Sequence, residues 1–334
     1  MKLARKDQIS HLKTKDIKFN FISEDAAYEI LEKNSYYYKL TCYKRNFRKT
    51  SSNKYVDLDF AHLYDLSIID MRMRQLFNKL CLDIEHSLKK SLINDITDST
   101  EDGYSIVTEF DNYERKKFNQ HQLVLQKRYG SKYIPKFYND ILSRTIFKVH
   151  DSNDYEYQLS SKYFKKSRVP AWVLIEKLSF GQLVAFIEFY VTSHKNNYLY
   201  YKNANELLIM IKRIRNASSH NRPIIMNISN KIHSGSLTVS SNVKGYLTSL
   251  NISSPSNRKE HSQYIALLEH TKIHDIFCLV ILYKEYINSE KMVYSRRKEI
   301  KSFLCRAKLN SKYYYNHKKL KKIFKFLEKS LNTI

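Results

Sequence analysis

Apolar residues along this chain recur at the spacing of a helix rather than a strand. Leu63, Leu66, Ile69, Met73, Leu76, Leu80, Ile84 and Leu88 share one stripe and predict a single long helix over 58–96. The pattern returns over 203–221 through Leu207, Ile211 and Ile214, with Ser218 on the same face, and Pro223 stops it. It returns again over 262–290 through Ile265, Leu268, Ile276, Leu279, Val280 and Tyr283. The stretch 296–331 reads as basic and helical, with Ile323, Phe326 and Leu327 as its apolar side. Shorter helices are predicted at Glu24–Lys33, N-capped by Ser23, and near 110–128 and 135–147. A further helical segment covers 168–192, where Pro170-Ala171-Trp172 opens a helix. Residues 226–260 are rich in Ser and Asn and hold Gly235, Gly245 and Pro255, which reads as loop. The expected organisation is a helical domain over 1–235, a loop or linker over 236–260, and a basic helical region over 261–334.

Composition narrows the fold. The 334 residues include only 5 Gly and 4 Pro, where together roughly 12% is usual. No two glycines are close enough to build a phosphate-cradling G-x-G-x-x-G or G-x-x-x-x-G-K-[ST] loop, so dinucleotide-binding and P-loop readings fail. Multi-stranded β folds need many turn residues, so the expected class is all-α. A hydrophobic content of 43%, with 27 Tyr and 17 Phe, is enough for a large aromatic core.

Charge points to a partner. Lys and Arg number 58 against 33 Asp and Glu, a formal net charge of +25. Such an excess favours a polyanion, most simply nucleic acid. Cys42, Cys81, Cys278 and Cys305 lie far apart with no C-x-x-C, so no zinc site is expected and buried thiols of a reducing compartment are the default. The longest apolar run, Ile276 to Tyr283, is far short of the roughly 20 residues of a membrane span. No apolar stretch follows Met1-Lys2-Leu3-Ala4-Arg5-Lys6, so a cytoplasmic protein without stable membrane insertion is expected.

Several constellations could carry chemistry. Arg215-Asn216-Ala217-Ser218-Ser219-His220 places Arg, Asn and His at the end of a patterned helix. Arg offers a planar fork to phosphate oxygens, and His can move the proton of a ribose hydroxyl near neutral pH. Asp70 and Arg74 stand four apart, and Glu85 follows eleven later on the same helix face. They read either as a simple intrahelical ion pair with a solvated Glu, or as a polar network supporting a site. Tyr36, Tyr37, Tyr38, Tyr43 and Phe47 lie among cations and could stack bases or pack a core edge. His270 and His274 have metal-ligand spacing but no accompanying motif, so neither a metal nor a cofactor is expected. Candidate RNA contacts are Arg213 and Arg222 beside the motif, and Lys318, Lys319, Lys321 and Lys322 in the tail.

Four of these segments occur in an order that resembles the bacterial Abi-like family, of the AbiD/AbiF abortive-infection type. They are Asn34 with Tyr37-Tyr38-Lys39-Leu40, Tyr43 and Phe47; Tyr64-Asp65 with Asp70, Arg74, Ile84-Glu85 and Leu88-Lys89; Pro170-Ala171-Trp172 with Glu176 and Leu178-Ser179-Phe180-Gly181; and Arg215-Asn216 with His220. The resemblance implies a HEPN-like helical bundle with additional N- and C-terminal helices. It also implies a metal-independent endoribonuclease with an R-x4-H site, working as a homodimer in phage defence or as a toxin. Arg215, Asn216 and His220 match that motif. Cys42 stands where the family often has Gly, Asn221 where a second His often follows, and Pro223-Ile224-Ile225 where apolar and Trp residues are usual.

The functional expectation is RNA cleavage through 2′-hydroxyl attack. Arg215 would hold the phosphate, His220 would act as acid or base, Asn216 would orient His220 or contact the backbone, and Asp70, Arg74 and Glu85 would support the site. An antitoxin, RNA or protein, is an expected partner alongside RNA. The alternatives are a non-catalytic module that holds a structured RNA, and a toxin that works at a membrane through its tail helix.

Overall fold

The structure is a computed structural model that describes residues 3–34, 36–147, 154–164, 166, 168–193, 198–230 and 237–334. The protein is all-α. In chain order the helices begin with α1 (Arg5–Thr14), α2 (Glu24–Lys33), α3 (Tyr37–Thr41), α4 (Phe60–Thr97) and α5 (Ser105–Tyr129). Next come α6 (Ile141–Thr145), α7 (Asp154–Tyr163), α8 (Ala171–Lys177), α9 (Phe180–Ser193) and α10 (Tyr198–Ser219). The last five are α11 (Ser241–Ser249), α12 (Arg258–Leu268), α13 (Thr271–Tyr286), α14 (Glu290–Leu309) and α15 (Lys318–Leu331). Among the described residues, the only β pairings are two isolated bridges, Lys18 with Asp59 and Lys49 with Tyr55. None of the described helices is long and apolar enough to cross a membrane.

The chain divides into two compact units, one of residues 1–83 and 210–334, the other of 84–209. The divisions fall inside α4 and α10. The first unit is built around α13, whose residues Ile273 to Tyr283 are all buried. A helix that is apolar all round belongs in a core. The apolar side of α15 is buried too, with the Phe326 ring 5.0 Å from Tyr264 and 5.6 Å from Phe277. That side is therefore committed to packing rather than free for a membrane surface. Two carboxylates on α4 bind α14 and the turn after it. Asp65 accepts from Arg306 at 2.8 Å, Asn310 at 2.9 Å and Tyr314 at 2.8 Å, and Asp83 accepts from Arg296 Nε at 2.6 Å. Part of the basic excess is thus consumed internally, and residues 261–334 share a unit with 1–83.

The second unit has its own aromatic core. Phe110 of α5 lies 5.0 Å from Phe186 and 5.4 Å from Phe189 of α9. Ile146, Val169 and Val173 form a smaller cluster, covered by Leu142, Phe147, Leu159 and Tyr163. Gly103 has φ +71°, where other residues are strained, and a Cβ there would press on the Trp172 ring at 3.1 Å.

Several sequence expectations hold closely. Ser23 caps α2 by accepting from the Ala26 amide, and Pro170 immediately precedes α8. Others change. The expected loop over 236–260 contains α11, capped by Ser240, while Gly235 and Ser236 lie outside the described residues. The helix expected over 262–290 is two, because His270 leaves helical geometry and caps α13 by accepting from the Lys272 amide. The helix expected near 135–147 shrinks to α6, which starts only where Asp140 caps it. The tail expected as one stretch breaks between α14 and α15. Cys42, Cys81 and Cys278 are buried as expected, but Cys305 is exposed.

Candidate functional site

The motif Arg215–His220 lies at the C-terminal end of α10, and its geometry follows from how that helix stops. His220 is the first residue past the helix, and its amide still donates to the Asn216 carbonyl at 3.1 Å. Asn221 has φ +53°, the left-handed conformation that Asn tolerates better than most residues. The Arg222 amide then donates to the Ala217 carbonyl at 2.8 Å, and the Asn221 amide to Ser218 at 3.2 Å. This pair of bonds is a Schellman ending, with Asn in the place usually held by glycine. Asn221, one of the departures from the family pattern, thus supplies the turn that ends the helix. His220 is left exposed beside it.

Arg215 and Asn216 are half-buried, and Arg215 Nη1 lies 3.5 Å from Asn216 Oδ1. Arg215 Nε and Ser218 Oγ are buried with no hydrogen-bond partner among the described residues. The end of α10 therefore carries a guanidinium with unused donors, an amide and an accessible imidazole. Those groups can bind a phosphate and move a proton.

The backbone after the motif is braced by side chains from distant elements of the same unit. Asp70 of α4 is fully buried, and its Oδ1 accepts from both the Ile224 and Ile225 amides at 2.8 Å. Its other oxygen pairs with Arg74, which is also buried. Burial pulls the Arg74 guanidinium below its ordinary value. Lys39 donates to the Asn221 carbonyl at 3.1 Å, and Asn46 to the Ile225 carbonyl at 3.0 Å. Ser229 Oγ donates to the Asn46 carbonyl at 2.5 Å. Lys272 of α13 donates to the Met226 carbonyl, and burial draws its ammonium down to about 8. The buried contacts, those of Asp70 and Asn46, meet backbone groups that would cost about 1–3 kcal/mol each if left unpaired.

Other sequence candidates sit as follows. Asp70 and Arg74 do form an intrahelical pair, but a buried one that supports the loop. Glu85 belongs to the second unit, where it pairs with Lys89 at 3.2 Å; Lys89 also donates to the Glu176 and Leu178 carbonyls. Arg213 gives its guanidinium to Asp275 in a two-pronged contact of 2.8 and 2.5 Å, which holds it protonated and occupies its fork. Arg222 is exposed. Lys321 and Lys322 project from α15, Lys321 over the Tyr315 ring. Tyr43 and Phe47 are buried, whereas Tyr36 and Tyr38 are exposed. His274 lies beside Cys278 in the core, and among the described residues no group of three His, Cys, Asp or Glu could hold a metal ion. Sequence reading missed Asn46 and Lys272 altogether. Lys39 stood in the Tyr38-Lys39-Leu40 match without a role.

Comparison with protein families matches the family described as Abi-like protein over residues 29–226. The chain is a member of the Abi-like family. The matched region spans both the motif and the side chains that brace it, from Lys39 and Asn46 through Asp70 and Arg74 to Ile224 and Ile225. It stops short of Ser229, Lys272 and the last five helices, which in this Abi-like protein complete the unit around the motif. No curated protein and no solved structure matches the chain.

Proposed function

We propose that this Abi-like protein is a metal-independent endoribonuclease of the HEPN type, of the AbiD/AbiF kind. Its family membership points to abortive infection and phage defence. The observation that supports the chemistry is the end of α10, where His220 is exposed, Arg215 keeps an unpaired buried Nε, and the following loop is held by Asp70. Arg215 holds the scissile phosphate and offsets its growing charge. His220 moves a proton as the ribose 2′-hydroxyl attacks, leaving a 2′,3′-cyclic phosphate and a free 5′-hydroxyl. Asn216, within reach of Arg215, orients the guanidinium. One chain carries one such motif, so a two-motif site takes a homodimer with both α10 ends at its axis.

The test is cleavage of single-stranded RNA by the purified chain in EDTA. Wild type cuts, and His220→Ala loses about 10²–10⁴-fold in rate, the usual contribution of an acid–base group. Equal cutting by His220→Ala overturns the catalytic assignment. RNA binding without any cleavage by the wild type replaces it with the non-catalytic binding module.

A further inference from the structure

The first unit contains a second polar feature that the motif does not use. A cavity of about 570 Å³ opens between the chain around Asn46–Arg48, the segment Ser229–Asn230, and the start of α15. That volume falls within the roughly 300–1,000 Å³ of small-molecule sites. Its charged lining residues are Arg48, Lys318 and Lys319, and its amides include Asn230 and Asn316. Among the described residues, no acidic one lines it. Among the described residues, none of the three cations pairs with a carboxylate.

The back wall is fixed. The His317 ring meets the Phe47 ring edge-on at 4.7 Å and the His62 ring at 5.1 Å, and its Nε2 lies 3.0 Å from the Asp57 carbonyl. Burial, then the neighbouring His62, lowers the His317 pKa, against the opposing pull of Asp57. Lys318 and Lys319 sit in the first turn of α15, the positive end of the helix dipole, where cations are unfavourable. Some basic residues of this unit have carboxylate partners, as Arg213, Arg296 and Arg306 do, and the cavity's three cations do not. A walled cavity with three unopposed cations and amide donors is complementary to a compact, multiply charged anion.

We propose that this cavity binds a phosphate monoester on a ligand of nucleotide size. Arg48, Lys318 and Lys319 take the phosphate oxygens, and Asn230 and Asn316 face the remainder. The ligand is either a free nucleotide or the 5′-phosphorylated end of an RNA strand. The cavity shares Asn46 and Ser229 with the brace of the loop after α10 but none of the motif's own residues, and its occupancy does not require cleavage.

The experiment is calorimetric titration of the full chain with inorganic phosphate, adenosine 5′-monophosphate, and a short RNA carrying either a 5′-phosphate or a 5′-hydroxyl. It is run in both the wild-type and the His220→Ala background. Saturable binding of the phosphorylated probes is expected in both, with a preference of at least about tenfold over the 5′-hydroxyl RNA, the worth of one charge-assisted contact. Tighter binding of the 5′-phosphorylated RNA than of the nucleotide marks the strand end as the ligand, and equal or weaker binding marks the free nucleotide. The K318Q/K319Q variant and R48Q each lose at least about tenfold, while Lys301→Gln, an exposed lysine of α14, does not, with circular dichroism confirming that all stay folded. Absence of saturable binding, indifference to the 5′-phosphate, or equal loss in Lys301→Gln overturns the proposal. Because binding is read without turnover, its failure is distinguishable from failure of the nuclease reading.

Discussion

The C-terminal end of α10 and the N-terminal end of α15 treat the same problem in opposite ways. Both are helix termini with backbone groups that lack partners within the helix. At α10 the ending is a Schellman turn, and the chain beyond it receives Asp70, Lys39, Asn46 and Lys272 on successive backbone groups. At α15 there is no side-chain cap and no acidic residue in the first turn, and two lysines add to the positive end. The first end is electrostatically closed and positions the motif. The second is open, and its two exposed lysines have no carboxylate partner among the described residues. A terminus braced from within is a scaffold, and one left uncompensated is a receptor.

Substitutions can break this contrast. The largest effect is expected from Asp70→Ala, which strands Arg74 as a buried unpaired cation and frees the Ile224 and Ile225 amides. Loss of one partner from a buried pair costs about 3–5 kcal/mol, so urea denaturation should show a loss of that size; a loss below about 1 kcal/mol would mean that the brace is not what holds the loop. A middle-sized effect is expected at Asn221. Asn221→Val forces a β-branched residue into the left-handed region and should cost about 1–2 kcal/mol, while Asn221→Gly should be near neutral. Equal behaviour of the two variants in the same assay would remove the Schellman account. The smallest effect, and one of opposite sign, is expected at α15. In ligand-free protein K318Q/K319Q should raise the melting temperature slightly, most visibly at low salt, because it removes cations from the positive end of the dipole. A fall in melting temperature would show that those lysines are already paired.

The brace also explains why the candidate site was only partly legible. Arg215, Asn216 and His220 lie within six residues of one helix, so spacing alone could pick them out. Asp70 and Arg74 could be paired from their i, i+4 positions, but not recognised as buried. Glu85 shares their helix face by count, yet it lies in the second unit with Lys89. Arg213 looked like a free cation beside the motif until Asp275, 62 residues later, was found to hold it. Lys318 and Lys319 looked like Lys321 and Lys322, and only the cavity separates the pairs.

Sequence by itself determined the helical class, the long α4, the position of the motif at the end of α10, and the excess of positive charge. Those properties rest on local periodicity, on the scarcity of Gly and Pro, and on composition, all of which act within a few turns or sum over the chain. Tertiary structure decided which charges are spent and which remain. The Asp70 carboxylate meets the Ile224 amide across 154 residues, and Asp65 meets Arg306 across 241. Such pairings depend on where helices pack, because a buried charge must find its partner in space rather than along the chain.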